Sequence, residues 1–167
     1  MLFERKTKAM NQQILSVLVN NHPGLLSKVS GLFSRRNFNI ESLAVGICEI
    51  PGCSRITIVV NGDEDRIDQV IKQLDKLVDV LKIESLPERQ SVQRELILVK
   101  VEAVSSKRAE VLQMAEVFRA KVIDVATASL TLELTGQTDK IEAFIRLMEP
   151  FNILQIVRTG LVAMPRS

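Results

Sequence analysis

The sequence has no tryptophan, no tyrosine and only six phenylalanines. RNA-binding modules built on an antiparallel sheet stack bases on aromatic side chains of that sheet. The few aromatic residues therefore argue against RNA binding. The charge also argues against it, because 22 basic and 20 acidic residues leave a net charge of only +2. These charges are scattered along the chain and form no basic block of the kind that binds phosphate backbones. We therefore expect no nucleic-acid partner.

Long hydrophobic runs are also missing. A membrane-spanning helix needs about 20 consecutive apolar residues, and the apolar runs of this sequence are far shorter. The first residues, MLFERKTKAM, carry charges where a secretory signal peptide has its apolar segment. The sequence predicts a soluble cytoplasmic protein with no membrane partner.

Residues that commonly carry catalysis or bind metals are scarce. His22 is the only histidine, and the only cysteines, Cys48 and Cys53, lie in one short segment. A thiol enzyme pairs its cysteine with a base, and a zinc site needs several Cys or His ligands at characteristic spacing. The seven glycines form no phosphate-binding motif. We expect reduced thiols, no catalytic residue, no metal site and no cofactor in this chain.

Hydrophobic periodicity divides the first half of the chain into six elements. The apolar run from Ile14 to Val19 is typical of a central strand, and Pro51-Gly52 joins two alternating segments into a hairpin. Asp63 or Asp65 is placed to cap the second helix. The apolar positions are Leu25, Val29, Leu32 and Phe33 in the first helix, Leu43, Val45, Ile47, Ile56, Ile58 and Val60 in the hairpin, Ile67, Val70, Ile71 and Leu74 in the second helix, and Val78 to Ile83 in a last strand.

The same pattern restarts in the second half, at a spacing of roughly 80 residues. Its predicted strands are Leu96 to Val101, Val122 to Val125, Leu130 to Leu134 and Ile153 to Val157, and its helix faces are Val111, Leu112, Ala115 and Phe118, then Ile141, Phe144, Ile145 and Met148.

This order of strand, helix, strand, strand, helix, strand is the βαββαβ arrangement of ferredoxin-like folds. A polar stretch without periodicity separates the two halves and indicates a linker. The sequence therefore predicts an α+β protein with two ferredoxin-like domains. The expected division is a charged tail at 1–12, a first domain at 13–86, a linker at 87–93 and a second domain at 94–167.

The loop Asn20-Asn21-His22-Pro23-Gly24, between the first strand and the first helix, distinguishes the two halves. The second half has Val104 to Arg108 at the same place, without Asn or Pro-Gly. A helix that starts directly after a strand presents free backbone N–H groups and a partial positive charge. Pro23 has a backbone angle suited to a helix start, Gly24 permits a close approach, and the Asn side chains add donors and acceptors.

Such a loop can bind the carboxylate and ammonium groups of an amino acid. The same residues are also ordinary turn formers with a helix cap. Asn37 and Asn39, after the first helix, present the same choice between helix-end residues and ligand contacts. Residue types alone leave both interpretations open.

The segment from Ile14 to Gly46, ILSVLVNNHPGLLSKVSGLFSRRNFNIESLAVG, closely resembles the amino-terminal ACT domain of the small regulatory subunit of acetohydroxyacid synthase, also called acetolactate synthase. LDKLVDVLKI, from Leu74, is similar to the fourth-strand region of that family. RELILVKV, from Arg94, is similar to the start of its second domain, and VRTGLVAMPR, from Val157, to its ending. The resemblance covers the chain from Ile14 onward.

The resemblance implies a non-catalytic regulatory subunit with an ACT domain followed by an ACT-like domain. In this family two ACT domains form a homodimer with an eight-stranded sheet, and valine binds at the interface. The partner is the large catalytic subunit, which holds thiamine diphosphate, magnesium and FAD, and none of these need contact this chain. The small subunit activates its partner and confers feedback inhibition by valine in branched-chain amino-acid biosynthesis.

By motif position, the resemblance places valine-binding residues on two chains. One chain contributes Asn21, His22, Pro23, Gly24, Leu25 and Leu26, and the other contributes Asn39 and Ile40. Gly46 stands where the family commonly has alanine, and Asn37 where it usually has glycine. The alternative is a stand-alone ACT-type amino-acid sensor. An enzyme with a dispersed site is disfavoured because histidine and cysteine are so few.

Overall fold

The structure is a computed structural model that describes residues 12–167. Residues 1–11 of the expected charged tail lie outside the described residues, and Gln12, also expected in that tail, is the first residue of a strand. The chain divides into two compact units. The first extends up to Ser91 and includes Ala163–Ser167, and the second comprises Val92–Val162.

The first unit has the predicted βαββαβ order. Its central strand β1 pairs antiparallel with β3 and β4, and β2 pairs antiparallel with β3, which gives the sheet order β2-β3-β1-β4. Its elements are β1 (Gln12–Asn20), α1 (Leu25–Arg35), β2 (Ile40–Ile47), β3 (Cys53–Asn61), α2 (Glu64–Asp75) and β4 (Val80–Ser85), with a short 3-10 helix at Glu88–Gln90.

Both helices of the first unit pack on one face of its sheet. Alternate residues of a strand point to the same face, and those of β1 and β3 that face the helices are fully buried. Asp63 caps α2 by accepting a hydrogen bond from the Arg66 N–H at 2.9 Å. Leu32 and Ile71, predicted on the apolar helix faces, are only partly buried. The core consists of Leu15, Val17, Val19, Leu25, Val29, Phe33, Ile56, Ile58, Val60, Ile67, Val70 and Leu74.

The start of β4 differs from the prediction. The strand was expected from Val78, but it begins at Val80. The chain makes a turn after α2, in which the Leu77 N–H donates to the Leu74 carbonyl oxygen and the Val80 N–H to that of Leu77. This turn leaves Val78 93% exposed and places Asp79 beside the β1–α1 loop.

The second unit repeats the βαββαβ order, and its strands follow the order β6-β7-β5-β8. Two antiparallel sheets therefore confirm the α+β class and the two ferredoxin-like folds. All helices of residues 12–167 are too short or too polar to span a lipid bilayer. Its elements are β5 (Ser91–Glu102), α3 (Ser105–Phe118), β6 (Lys121–Val125), β7 (Ser129–Gly136), α4 (Thr138–Met148), a 3-10 helix at Glu149–Phe151 and β8 (Ile153–Arg158). A last strand, β9 (Val162–Pro165), lies mostly in the segment that belongs to the first unit.

Three details of the second half differ from the prediction. Leu112 is 40% exposed, because Val111 and Ala115, one turn apart, form the buried face of α3. The region 104–108 is not a loop, since α3 already begins at Ser105. Residues 91–93 of the expected linker lie in β5.

The end of the chain adds an element that hydrophobic periodicity did not predict. The pattern was expected to finish at Val157, yet β9 follows β8. The Arg166 N–H donates to the Gln90 carbonyl oxygen at 2.8 Å, and its Nε to that of Ser91 at 3.1 Å. These contacts involve main-chain atoms far away in the sequence, which local patterns cannot show.

Candidate functional site

The β1–α1 loop has the conformation of a turn that ends in an uncapped helix. Pro23 and Gly24 form the turn, and α1 begins at Leu25. Gly24 occupies the N-cap position with φ 83°, a left-handed conformation that favours glycine. A Cβ atom at Gly24 would meet nothing within 4 Å. Glycine is therefore required here for its backbone angle, and Pro23 precedes the cap instead of opening the helix as predicted.

The first turn of α1 keeps backbone N–H groups open. The Leu25 N–H donates to the His22 carbonyl oxygen at 3.2 Å, and the Lys28 N–H to that of Gly24 at 3.1 Å. Within residues 12–167, the N–H groups of Leu26 and Ser27 have no hydrogen-bond acceptor. The first turn also has no acidic side chain. Open N–H groups and the positive end of a helix favour an anion such as a carboxylate.

Main-chain hydrogen bonds hold the loop from two sides. The Asn21 N–H donates to the carbonyl oxygen of Gly52, at the tip of the β2–β3 hairpin, at 2.9 Å. The Asn20 N–H donates to the carbonyl oxygen of Asp79, before β4, at 2.8 Å. Within the loop, the His22 N–H donates to the Asn20 carbonyl oxygen at 3.0 Å. The loop conformation thus depends on distant segments as well as on its own turn residues.

A charged cluster lies beside the loop. The Lys28 Nζ donates to the Asp79 Oδ2 at 3.0 Å, and the His22 Nε2 lies 3.8 Å from the Asp79 Oδ1. The Asp79 side chain is 12% exposed, whereas those of His22 and Lys28 are mostly exposed. Sequence reasoning placed Asp79 inside a strand and missed this contact. The only sequence feature that could have indicated it is the single acidic residue in the otherwise apolar run Leu77-Val78-Asp79-Val80-Leu81.

The candidate residues from Asn21 to Leu26 lie together at this loop and helix start. Leu25 is 4% exposed and belongs to the core of the first unit. Leu26 is 45% exposed and offers an apolar surface next to the open N–H groups. Asn21 and His22 are also exposed. The loop therefore combines polar side chains, open N–H groups and one exposed leucine.

Asn39 and Ile40 lie at the opposite end of α1. The helix has 11 residues and so spans about 16 Å at 1.5 Å per residue. Asn39 Nδ2 donates to Glu41 Oε1 at 3.2 Å, and Ile40 is half-buried at the start of β2. Within one chain, the two groups of candidate residues are therefore too far apart to bind one small ligand.

The two family departures have simple structural accounts. Asn37 follows α1 with φ 55°, a left-handed conformation that glycine and asparagine adopt more readily than other residues. A Cβ atom at Gly46 would meet nothing within 4 Å. Position 37 therefore accepts asparagine or glycine, and position 46 accepts glycine or alanine.

In the second unit, an arginine bonds main-chain carbonyl groups beside the corresponding helix start. Arg108 is the fourth residue of α3, as Lys28 is the fourth of α1. Its guanidinium donates to the carbonyl oxygens of Ala103 at 3.2 Å, Ala126 at 2.6 Å and Thr127 at 2.8 Å. These bonds join the start of α3 to the β6–β7 connection, as the Lys28–Asp79 contact joins α1 to the turn before β4.

Both cysteines lie in the β2–β3 hairpin. Cys48 and Cys53 are free thiols, and the buried Cys53 Sγ lies 3.9 Å from the Asn20 Oδ1, at the base of the loop. Residues 12–167 contain no group of three or more His, Cys, Asp or Glu side chains placed to hold a metal ion.

Comparisons with known proteins match both halves of the chain. The family model described as the AHAS small subunit-like ACT domain matches residues 15–82. A second model, described as the small subunit of acetolactate synthase, matches residues 94–167.

Individual proteins match almost the entire chain. The acetolactate synthase small subunit of Mycolicibacterium smegmatis is 49% identical over 153 residues, which cover 92% of this chain and 90% of that protein. That of Haemophilus influenzae is 47% identical over 157 residues, covering 93% and 96%. The crystal structure of the acetolactate synthase small subunit from Thermotoga maritima superimposes with a TM-score of 0.89 at 42% identity, covering 95% of this chain and 99% of that one.

Proposed function

Because this chain belongs to the family of acetolactate synthase small subunits, we propose that it activates a catalytic acetolactate synthase subunit and makes that subunit sensitive to valine. The observation that carries the proposal is the β1–α1 loop, where open N–H groups of α1 lie beside Asn21 and the exposed Leu26. Such a site suits an amino acid with an apolar side chain.

The ligand's groups find complementary partners at this loop. Its carboxylate binds the N–H groups at the start of α1, where the helix end carries a partial positive charge. Its isopropyl group packs against Leu26, which is 45% exposed. Its ammonium group needs hydrogen-bond acceptors, which amide side chains such as those of Asn21 and Asn39 supply.

Asn39 reaches this ligand from a second copy of the chain. The helix separates Asn39 from its own loop by about 16 Å. β2 is an edge strand of the sheet order β2-β3-β1-β4, and edge strands are templates for pairing with another chain. Two copies joined through β2 give one continuous eight-stranded sheet, since each copy supplies four strands.

Antiparallel pairing of the two β2 strands places the right residues together. β2 ends at Ile47 and leads into the hairpin whose Gly52 accepts a hydrogen bond from Asn21. The last residues of β2 and the β1–α1 loop therefore lie at the same end of the strands. In an antiparallel pair, the start of one strand lies beside the end of the other. Asn39 and Ile40 of the second copy thus come close to the loop of the first.

The catalytic chemistry belongs to the partner. We place thiamine diphosphate, magnesium and FAD on the catalytic subunit, and this chain contributes regulation alone. Valine inhibits if it binds the inhibiting state of the complex more tightly than the activating state. A coupling of about 1 to 3 kcal/mol would change the affinity by a factor of roughly 5 to 150.

Two measurements test the proposal. The first is calorimetric titration of the purified chain with valine, leucine, isoleucine and glutamate. The second is the activity of a catalytic acetolactate synthase subunit with and without this chain and valine. We expect saturable binding that prefers valine, activation by the chain alone and inhibition when valine is added. Binding of valine without any effect on the synthase would instead support a stand-alone ACT-type sensor.

A further inference from the structure

Asp79 lies in the turn between α2 and β4, outside the residues that resemble a valine site. We propose that it is a positioning residue, which holds the β1–α1 loop in the conformation that binds the amino acid. The inference rests on the proposed function and adds to it the residue that sets the geometry of the site.

Asp79 contacts three successive parts of the site. Its carbonyl oxygen accepts a hydrogen bond from the Asn20 N–H at 2.8 Å, at the end of β1. Its Oδ1 lies 3.8 Å from the His22 Nε2 within the loop, and its Oδ2 accepts from the Lys28 Nζ at 3.0 Å on α1. One residue therefore links the strand, the loop and the helix that together form the site.

The loop needs such an external hold because its own helix cap is weak. Gly24 occupies the N-cap position and provides no side-chain hydrogen bond. A Ser, Asp or Asn cap would fix the helix start but would also occupy an N–H group of the first turn. Asp79 holds α1 through the Lys28 side chain instead, which leaves the Leu26 and Ser27 N–H groups open for a carboxylate.

The second unit offers a comparison within the same chain. There Arg108 bonds three main-chain carbonyl oxygens. In the first unit, the corresponding Lys28 is drawn to the Asp79 carboxylate.

Burial makes the Asp79 carboxylate dependent on this arrangement. Its side chain is 12% exposed, while that of Lys28 is 59% exposed. A carboxylate that is largely removed from water requires hydrogen-bond partners. Because the Lys28 ammonium is exposed to water, the ion pair is screened and contributes little to folding stability. Its main effect is therefore on local geometry.

The test compares Asp79→Asn, Lys28→Gln and the double variant with Glu84→Gln as the control. Asn keeps the shape and the main-chain carbonyl of Asp79 but removes the charge. Glu84 pairs with Lys82 on β4 of the same unit, in a contact that does not involve the loop. Hydrogen exchange of the amides from 20 to 28 is measured without ligand, and valine affinity is measured by calorimetry.

We expect Asp79→Asn to increase exchange of the Asn20, Leu25 and Lys28 amides and to weaken valine affinity about tenfold. Lys28→Gln should act in the same direction, and the double variant should bind no more weakly than either single variant, because all three lose the same ion pair. Glu84→Gln should leave both measurements at the parental values. A residue that only stabilised the fold would lower the melting temperature without changing the affinity of the folded protein.

Exchange and affinity both within twofold of the parent for Asp79→Asn would overturn the positioning role. An equal loss of affinity in Glu84→Gln would do the same. If the parent binds no amino acid, the proposed function fails, and the exchange measurement still decides whether Asp79 holds the loop.

Discussion

The Asn21 N–H donates a hydrogen bond to the Gly52 carbonyl oxygen at 2.9 Å, which ties the β1–α1 loop to the tip of the β2–β3 hairpin. Gly52 has φ 76°, so this carbonyl is presented from a left-handed turn. The buried Cys53 Sγ lies near Asn20 at the same place. Changes in the hairpin therefore act directly on the proposed ligand site.

We predict that Gly24→Asp abolishes valine inhibition and leaves activation of the catalytic subunit intact. A carboxylate at this position repels the ligand's carboxylate and extends into the space around Gly24. Valine dose–response curves on the reconstituted synthase test the prediction. Gly24→Ala is the control, because it introduces a side chain at φ 83° without charge. An Asp variant with the parental valine response would show that the site lies elsewhere.

Asn39→Ala should weaken valine binding by removing an acceptor that comes from the other chain. Mixing this variant with Gly24→Asp tests the arrangement directly. In a mixed dimer, the intact loop of the Asn39→Ala chain faces the intact Asn39 of the Gly24→Asp chain, which restores one site. We expect tighter valine binding in the mixture than in either variant alone. No recovery in dimers proven to be mixed would contradict a shared site.

Ile47→Lys should produce monomers that no longer bind valine. Ile47 is 87% exposed at the end of β2, and in the proposed antiparallel pair a lysine there would place a charge beside the start of β2 of the other copy, which blocks edge-to-edge pairing. Val117→Lys, at a 76% exposed position in the second unit, controls for the loss of an exposed apolar side chain. Sedimentation and calorimetry provide the measurements. A monomer that binds valine with full affinity would be incompatible with the interface model.

Gly46→Ala should raise the free energy of unfolding by about 0.4 to 1 kcal/mol, because alanine restricts the unfolded chain. The added methyl group meets nothing within 4 Å. Gly52→Ala should have the opposite effect, since Gly52 has φ 76° and an L-residue pays about 1 to 2 kcal/mol in that conformation. Urea unfolding of both variants is the measurement, and destabilisation by Gly46→Ala would show that the position is packed more tightly than the structure indicates.

Arg158→Met should destabilise the second unit by about 1 to 3 kcal/mol, because it leaves the Glu95 carboxylate without its guanidinium partner. Arg158 donates to both Glu95 oxygens, at 2.7 and 2.8 Å, and Glu95 is 5% exposed. The hydrogen bond to Glu95 raises the pKa of Arg158 above its ordinary value. A raised pKa stabilises the fold at every pH below the unfolded value, so no loss of this pair is expected on moderate alkalinisation.

Urea unfolding between pH 7 and pH 10 checks both parts of this prediction. The difference between the parent and Arg158→Met should stay constant over that range. Lys121→Met, which removes a longer and more exposed pair with Glu133, should cost much less. A difference that disappears by pH 10 would contradict the proposed origin of the stability.

The order of the elements followed from the sequence because hydrophobic period is a local property. The i, i+4 spacing of Leu25 and Val29 and the alternation of Ile56 and Ile58 already indicate which side faces the core. The β1–α1 loop was found for the same reason, since Asn, Pro and Gly are adjacent in the sequence. Leu112 was misplaced because position on a helix face alone does not show which face packs.

Asp79 and Arg108 could not be assigned from the sequence. The Lys28–Asp79 contact joins residues 51 positions apart, and Arg108 reaches carbonyl groups 18 and 19 positions away. Such contacts depend on how α1 and α3 lie over their sheets. The sequence shows the groups available for bonding, while the fold decides which of them meet.

The length of α1 has a consequence for how the proposed sensor responds to dilution. An 11-residue helix keeps Asn39 away from the loop of its own chain, so the proposed pocket would be complete only after two chains have met. By mass action, the fraction of complete pockets then falls as the total subunit concentration falls below the dimer dissociation constant. Below that concentration, the protein would not respond to valine unless enough valine is present to drive dimerisation itself.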